Sequence, residues 1–222
     1  MRNKIFFLAI FSIVGFVLLQ IPVNTLAGSR VKFTLFDLFA PTSGALAGNS
    51  FGIISVFVIQ VVNLFFHGFD SFDKGALIRL FPTLFAVWYF SKSDKKQLII
   101  PVLAIVSYNL NPVGRSVWYY SLFWLIPLIT YPFKNRFLIL KAYGSTFTAH
   151  AVGGAIWVWA FNMPALVWQS LIPVVILERS IFALGISASY IFGNNVFALL
   201  AKIKLLRNVI SYDKRYLLPL VK

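Results

Sequence analysis

Apolar residues fill this chain in long runs, and charged residues fall mostly between them. The runs cover 5–23, 33–48, 50–66, 76–91, 97–111, 116–132, 142–161 and 180–201, each 15–22 residues long with few or no charges. Continuous runs of this kind predict membrane-spanning helices, whereas a membrane β-barrel alternates apolar and polar positions. Residues 162–177 form a further apolar piece, bounded by Pro164 and interrupted by Pro173. The expected fold is all-α: a polytopic transmembrane helical bundle of about six to eight spans. Crossing a bilayer core of about 30 Å takes about 20 helical residues. Several runs are shorter, so some helices are expected to be short or broken, as happens where backbone lines a cavity.

No polar domain separates the runs, so residues 1–201 are expected to form one transmembrane helical domain. Residues 202–222 follow as a basic, amphipathic cytoplasmic tail that suits an anionic leaflet or a cytoplasmic partner. The opening "MRNKIFFLAIFSIVGFVLLQ" has a basic start and an apolar run to Leu19. That run sits at the long end for a signal peptide, which favours a retained first helix over cleavage near Thr25–Ala27.

Composition sharpens this picture. The 222 residues are 59% hydrophobic, 18% aromatic and only 12% charged, with a mean hydropathy of +0.83. There is no cysteine, which excludes disulfides, thiolate metal sites and a cysteine nucleophile. The net charge of +14 would suggest nucleic acid in a soluble protein. Here it suggests orientation, because Lys and Arg accumulate in cytoplasmic loops, and no nucleic-acid partner is expected. With the N-terminus inside, 14 basic residues fall on inner segments and 5 on outer ones, leaving Arg179 near an outer helix end. This asymmetry supports a multi-pass protein of the plasma (cytoplasmic) membrane with both termini cytoplasmic. The count depends on a turn at Gly48–Ser50. One unbroken helix over 41–66 would reduce eight spans to seven.

Small residues recur at helical spacing. Ala40, Gly44, Gly48 and Gly52 form one stripe, and Ser145, Ala149 and Gly153 another. Such stripes let helix backbones approach closely in lipid, so their expected role is helix packing.

Candidate chemistry rests on a handful of polar positions within the runs. Ionisable groups at membrane depth are costly and usually face a cavity or one another. Asp37, Arg79, Arg115, Glu178 and Arg179 are all expected in the outer layer. Asn109, Asn111 and Asn162 add amides there, and Trp118 and Trp157 add aromatic surface, with Tyr108, Tyr119, Trp159 and Trp168 nearby. Together they predict an outward-facing, ligand-binding pocket for a small, partly polar solute. Asp37 is then tolerated because it pairs with Arg79 or faces a watery pocket. The plainer readings are aromatic belt residues, a structural Glu178–Arg179 ion pair and a snorkelling Arg79. His150 suits a hydrogen bond to a neighbouring helix or proton coupling. Zinc-ligand spacing, a G-x-S-x-G elbow and a Walker lysine are all missing from the sequence. No catalytic residue, metal site or cofactor is therefore assigned, and the chain cannot itself drive a pump with ATP.

The segment "FTLFDLFAPTSGALAGNSFG" (33–52) resembles the substrate-binding, or S, subunits of energy-coupling factor transporters. Those subunits often place an Asp or other polar residue before a short second helix, then glycines around the turn into the third. Asp37, Gly44, Gly48 and Gly52 match that outline, and the likeness covers roughly residues 30–68 plus size and hydropathy. The chain departs where the family often has Gly-Pro, here Gly48-Asn49, and where it often has alanines four apart, here Ala9 and Ile13. The family has about six apolar segments against about eight here. The resemblance implies capture of a vitamin or similar micronutrient from outside. It also implies partners: a transmembrane coupling subunit and cytoplasmic ATPases.

The first expectation is therefore an integral membrane solute-binding or transport subunit, not an enzyme, gated by outer loops such as 67–75 and 111–116. The alternatives are an integral membrane enzyme acting on a lipid or lipid-linked substrate, with His150, Glu178 or Asp37 as acid or base, and a non-catalytic membrane assembly protein.

Overall fold

A computed structural model describes residues 2–25, 32–67, 73–91, 93–202 and 212–221. Helix α1 (Arg2–Leu19) leads into an antiparallel ribbon of β1 (Pro22–Thr25) and β2 (Lys32–Thr34), in which Pro22 faces Thr34 and Thr25 faces Lys32. Then come α2 (Leu35–Phe39), a 3-10 turn over Ala40–Thr42, α3 (Ser43–Ala47) and α4 (Asn49–Phe66). Helices α5 (Lys74–Arg79), α6 (Pro82–Ser91), α7 (Ile99–Leu110) and α8 (Pro112–Ser116) follow. A 3-10 segment over Trp118–Leu125 and α9 (Ile126–Thr130) precede the two longest helices, α10 (Leu138–Ala160) and α11 (Ala165–Leu200).

The fold is all-α apart from the ribbon, whose strands are too short to leave an alternating signature. Prolines punctuate the apolar runs. Pro41, Pro82, Pro112, Pro127 and Pro132 each sit in the first turn of the element they open, where a missing N–H costs nothing. The runs at 33–48, 76–91 and 116–132 are consequently strings of short elements, not single spans. Among the described residues, α4 and α11 are long and apolar enough to cross a membrane.

The expected division between 162–177 and 180–201 is corrected. Pro173 lies inside α11, which runs unbroken for 36 residues, about 54 Å at 1.5 Å per residue. A proline interrupts one backbone bond, and neighbouring helices can compensate within a bundle. Glu178 and Arg179 therefore lie about 20 Å along a continuous helix, not where a span begins.

The turn at 48–50 exists. Gly48 adopts φ 97°, a conformation costly to residues with a Cβ, and it ends α3 and starts α4 in one step. A Cβ on Gly52 would collide with the Gly44 backbone nitrogen, so α3 folds back against α4 at closest approach. The expected packing role of Gly48 is corrected: nothing lies within 4 Å of where its Cβ would be, and it serves the turn. Ser145 packs α10 on α6 by donating to the Ala86 carbonyl at 2.8 Å.

The C-terminal segment is docked. Asn194 and Asn195, near the end of α11, each hold tail backbone at two points. Asn194 donates to the Asp213 carbonyl (2.9 Å) and accepts from the Asp213 N–H (2.7 Å). Asn195 donates to the Tyr216 carbonyl and accepts from the Leu218 N–H, both at 2.8 Å. Arg215 pairs with Asp213 at 2.6 Å and reaches the Asn135 carbonyl, and the Arg215 side chain holds the Asp213 carboxyl below its usual range. Residues 203–211 of the tail lie outside the described residues.

The outer surface is apolar along whole helix faces. Phe51, Ile54, Val58, Val62 and Phe65 form an exposed stripe on α4, and Ile176, Leu177, Ile181 and Leu184 expose a band on α11.

Candidate functional site

A cavity of about 240 Å³ lies where α2, α5, α6, α10 and α11 meet. Its walls are mostly apolar, with Phe33, Trp157, Met163, Trp168, Leu171 and Val175 among them. Eight polar side chains line it as well: Asp37, Arg79, Thr83, Tyr120, Thr146, His150, Glu178 and Arg179.

Asp37 is placed by its own helix. It is the N3 residue of a capping box, and its Oδ2 accepts from the Thr34 N–H at 2.7 Å and from the Thr34 hydroxyl at 3.3 Å. Such a box satisfies two donors that a helix start leaves open. Arg79, in the last turn of α5, donates to the same oxygen at 3.3 Å. The Asp37 side chain is 13% exposed and that of Arg79 30%, so both keep a face toward the cavity. Asp37 thus both pairs with Arg79 and lines a pocket.

Glu178 and Arg179 form the second pair. Arg179 Nη2 donates to Glu178 Oε2 at 2.7 Å, and Nη1 to the Thr146 hydroxyl at 3.2 Å. Both side chains are more than nine-tenths buried. The Arg179 guanidinium lies 4.3 Å from the Phe182 ring centroid and 4.9 Å from that of Phe33, while Arg79 approaches Phe33 at 5.5 Å. One ring on β2 thereby touches both arginines by cation–π contact. The formal charges of the two pairs cancel, so the site is polar without net charge.

His150 lies between two donors and acceptors of the 3-10 segment. Trp124 Nε1 donates to its Nδ1 at 3.0 Å, and its Nε2 lies 3.1 Å from the Tyr120 hydroxyl. This fulfils the neighbouring-helix reading of His150.

Five of the ten sequence-derived ligand candidates, Asp37, Arg79, Trp157, Glu178 and Arg179, line this one cavity. The others do not. Asn109 bonds the Ile105 carbonyl and Ser121. Asn111 caps α8 through Val113 and Gly114 and reaches the Val158 carbonyl. Arg115 is exposed and donates to the Asn109 carbonyl. Trp118 and Asn162 are exposed on the outside. The 111–116 segment is the Asn111 cap and helix α8 rather than a loop, and 68–72 lie outside the described residues. Of the packing stripe, Ala149 and Gly153 also line the cavity. Tyr120, Thr83, Thr146 and Phe33 were not legible as site residues; Tyr120 reaches the cavity only because an aromatic segment folds against the middle of α10.

No family model matches the chain, and no solved structure matches it. The chain is similar to an uncharacterized protein of Methanocaldococcus jannaschii, 25% identical over 200 residues, covering 81% of this chain and 67% of that protein.

Proposed function

We propose that this protein is an integral membrane solute-binding subunit that captures a small, partly polar molecule in the cavity between α6, α10 and α11. The observation that carries this reading is the pairing of two ion pairs, Asp37–Arg79 and Glu178–Arg179, on one cavity inside an apolar bundle. Buried charges at this depth are costly, and where they persist they mark binding sites or pathways. The volume of about 240 Å³ lies near the small end of ligand pockets.

The chain crosses the plasma membrane several times in this reading, with short helices stacked end to end serving where no single long helix spans. The exposed apolar faces of α4 and α11 then meet lipid. Both termini lie on the cytoplasmic side, following the distribution of Lys and Arg. The absence of a nucleotide-binding loop leaves energy coupling to partners, which the energy-coupling factor resemblance would supply as a transmembrane subunit and ATPases.

The test is to purify the protein in mild detergent and identify any co-purified small molecule by mass spectrometry. A compound held by the wild type and lost from a folded Asp37→Asn, Arg79→Gln variant supports the reading. The same compound held equally by both sinks it.

A further inference from the structure

Several hydrogen-bond donors on cavity-lining side chains lack a protein acceptor among the described residues, and they define what this end of the cavity takes. The indole N–H of Trp124 can only donate, and it points at His150 Nδ1 at 3.0 Å. His150 Nδ1 is therefore unprotonated. A neutral imidazole must then carry its proton on Nε2, which faces the Tyr120 hydroxyl at 3.1 Å. That N–H donates to the Tyr120 oxygen. The hydroxyl proton of Tyr120 is left over, and no protein acceptor takes it among the described residues.

A second observation points the same way. Two polar atoms of cavity-lining side chains are buried without any partner, Trp168 Nε1 and Arg179 Nε, and both are donors. Trp168 stands edge-on to Tyr120 with ring centroids 5.1 Å apart. Unsatisfied buried polar groups are rare and call for a specific explanation. An acceptor placed at this end of the cavity supplies one. The charges of Glu178 and Arg179 already cancel, so an uncharged acceptor adds no unpaired charge to a buried site.

We propose, resting on the solute-binding reading above, that the cavity takes a small uncharged molecule with an apolar, ring-sized body and a carbonyl-type acceptor, and that Tyr120 donates the hydrogen bond that recognises it. Trp124 is a positioning residue: it fixes the histidine tautomer that commits Tyr120 to donating.

Three uncharged probes of one ring size separate the possibilities: acetophenone, which only accepts; aniline, which presents N–H donors; and toluene, which does neither. Binding is read as thermal shift titrations on the full chain in lipid nanodiscs. Comparing wild type with Tyr120→Phe at equal probe cancels partition into lipid. The expected result is that acetophenone binds most tightly, and that Tyr120→Phe weakens it about tenfold, the loss of one buried hydrogen bond, while toluene is unchanged. Trp124→Phe, at a residue that does not itself line the cavity, should narrow the gap between acetophenone and aniline. Acetophenone binding no better than aniline, or unaltered by Tyr120→Phe, overturns the proposal while leaving a cavity that binds. If no probe, toluene included, binds any protein, the solute-binding reading itself falls.

Discussion

Arg79 donates to the same Asp37 oxygen that closes the capping box of α2, 42 residues away in the chain. One carboxylate thus sets the start of a helix and ties α5 to it at the cavity edge. The pair is partly exposed, and such pairs contribute about 1 kcal/mol or less. Asp37→Asn keeps an oxygen for the cap. It should leave the unfolding midpoint almost unchanged while weakening solute retention, which separates a binding role from a structural one. A large loss of stability with retention intact would reverse that assignment.

The Glu178–Arg179 pair should behave oppositely. Removing one partner of a buried pair leaves an uncompensated charge and costs about 3–5 kcal/mol. Glu178→Leu is expected to destabilise by that order in denaturant unfolding, and Glu178→Leu with Arg179→Met to recover most of it. Both variants should lose the solute. Equal stability of the single variant and wild type would show that the charge is solvated in the bundle.

Gly52 and Gly48 differ in a measurable way. A Cβ on Gly52 meets the Gly44 backbone, so Gly52→Ala must push α3 from α4, at about 1–3 kcal/mol. Gly48→Ala meets no atom and carries only the cost of its positive φ, about 1–2 kcal/mol. Gly52→Ala, but not Gly48→Ala, is expected to disturb solute retention, because only it displaces the wall that α3 supports.

Lys134 predicts a pH dependence. It sits in the loop before α10, donates to the Tyr89 carbonyl (2.6 Å) and to Gln97 (2.9 Å), and lies 4.2 Å from the Tyr89 ring centroid. Burial, helped by Lys141, lowers it from 10.5 to about 7. Between these values the unfolded chain holds a proton that the folded chain has released, so stability rises with pH. The penalty is fully present below about pH 7 and fades as pH climbs toward 10.5. Thermal unfolding between pH 7 and 9 should show a rising midpoint in wild type and a flatter one in Lys134→Met.

The Asn194 and Asn195 clamps predict that the tail can be released without touching the site. Asn194→Ala, Asn195→Ala should speed proteolysis within 212–218 severalfold and leave solute retention as it was. Protection equal to wild type would mean that Arg215 and its contact to Asn135 suffice.

Much of the site was legible because burying charge in an apolar run is costly enough to single out Asp37, Arg79, Glu178 and Arg179. Their depth was not. Pro173 looked like a boundary, and only packing around α11 shows that the helix continues through it. Asn109, Asn111 and Arg115 misled for the opposite reason: the two asparagines near a proline satisfy local backbone groups, Arg115 bonds the Asn109 carbonyl, and a sequence does not distinguish a cap from a ligand contact. Tyr120 and Thr146 were invisible, since a hydroxyl in an aromatic or small-residue run carries no signal until the fold says what it faces. Gly48 was seen as packing because it fell on a four-residue stripe; its backbone angle assigns it to the turn.

The most direct test of the central claim is to fill the cavity. Gly153 lines it, and a Cβ there has only Pro82 near it, at 3.5 Å, so Gly153→Leu can place its side chain in the void. Native mass spectrometry of wild type and this variant, released from the same detergent, compares the bound mass. The cavity reading predicts a small molecule on wild type and none on a variant that unfolds normally. The same mass at the same occupancy on both proteins would contradict it.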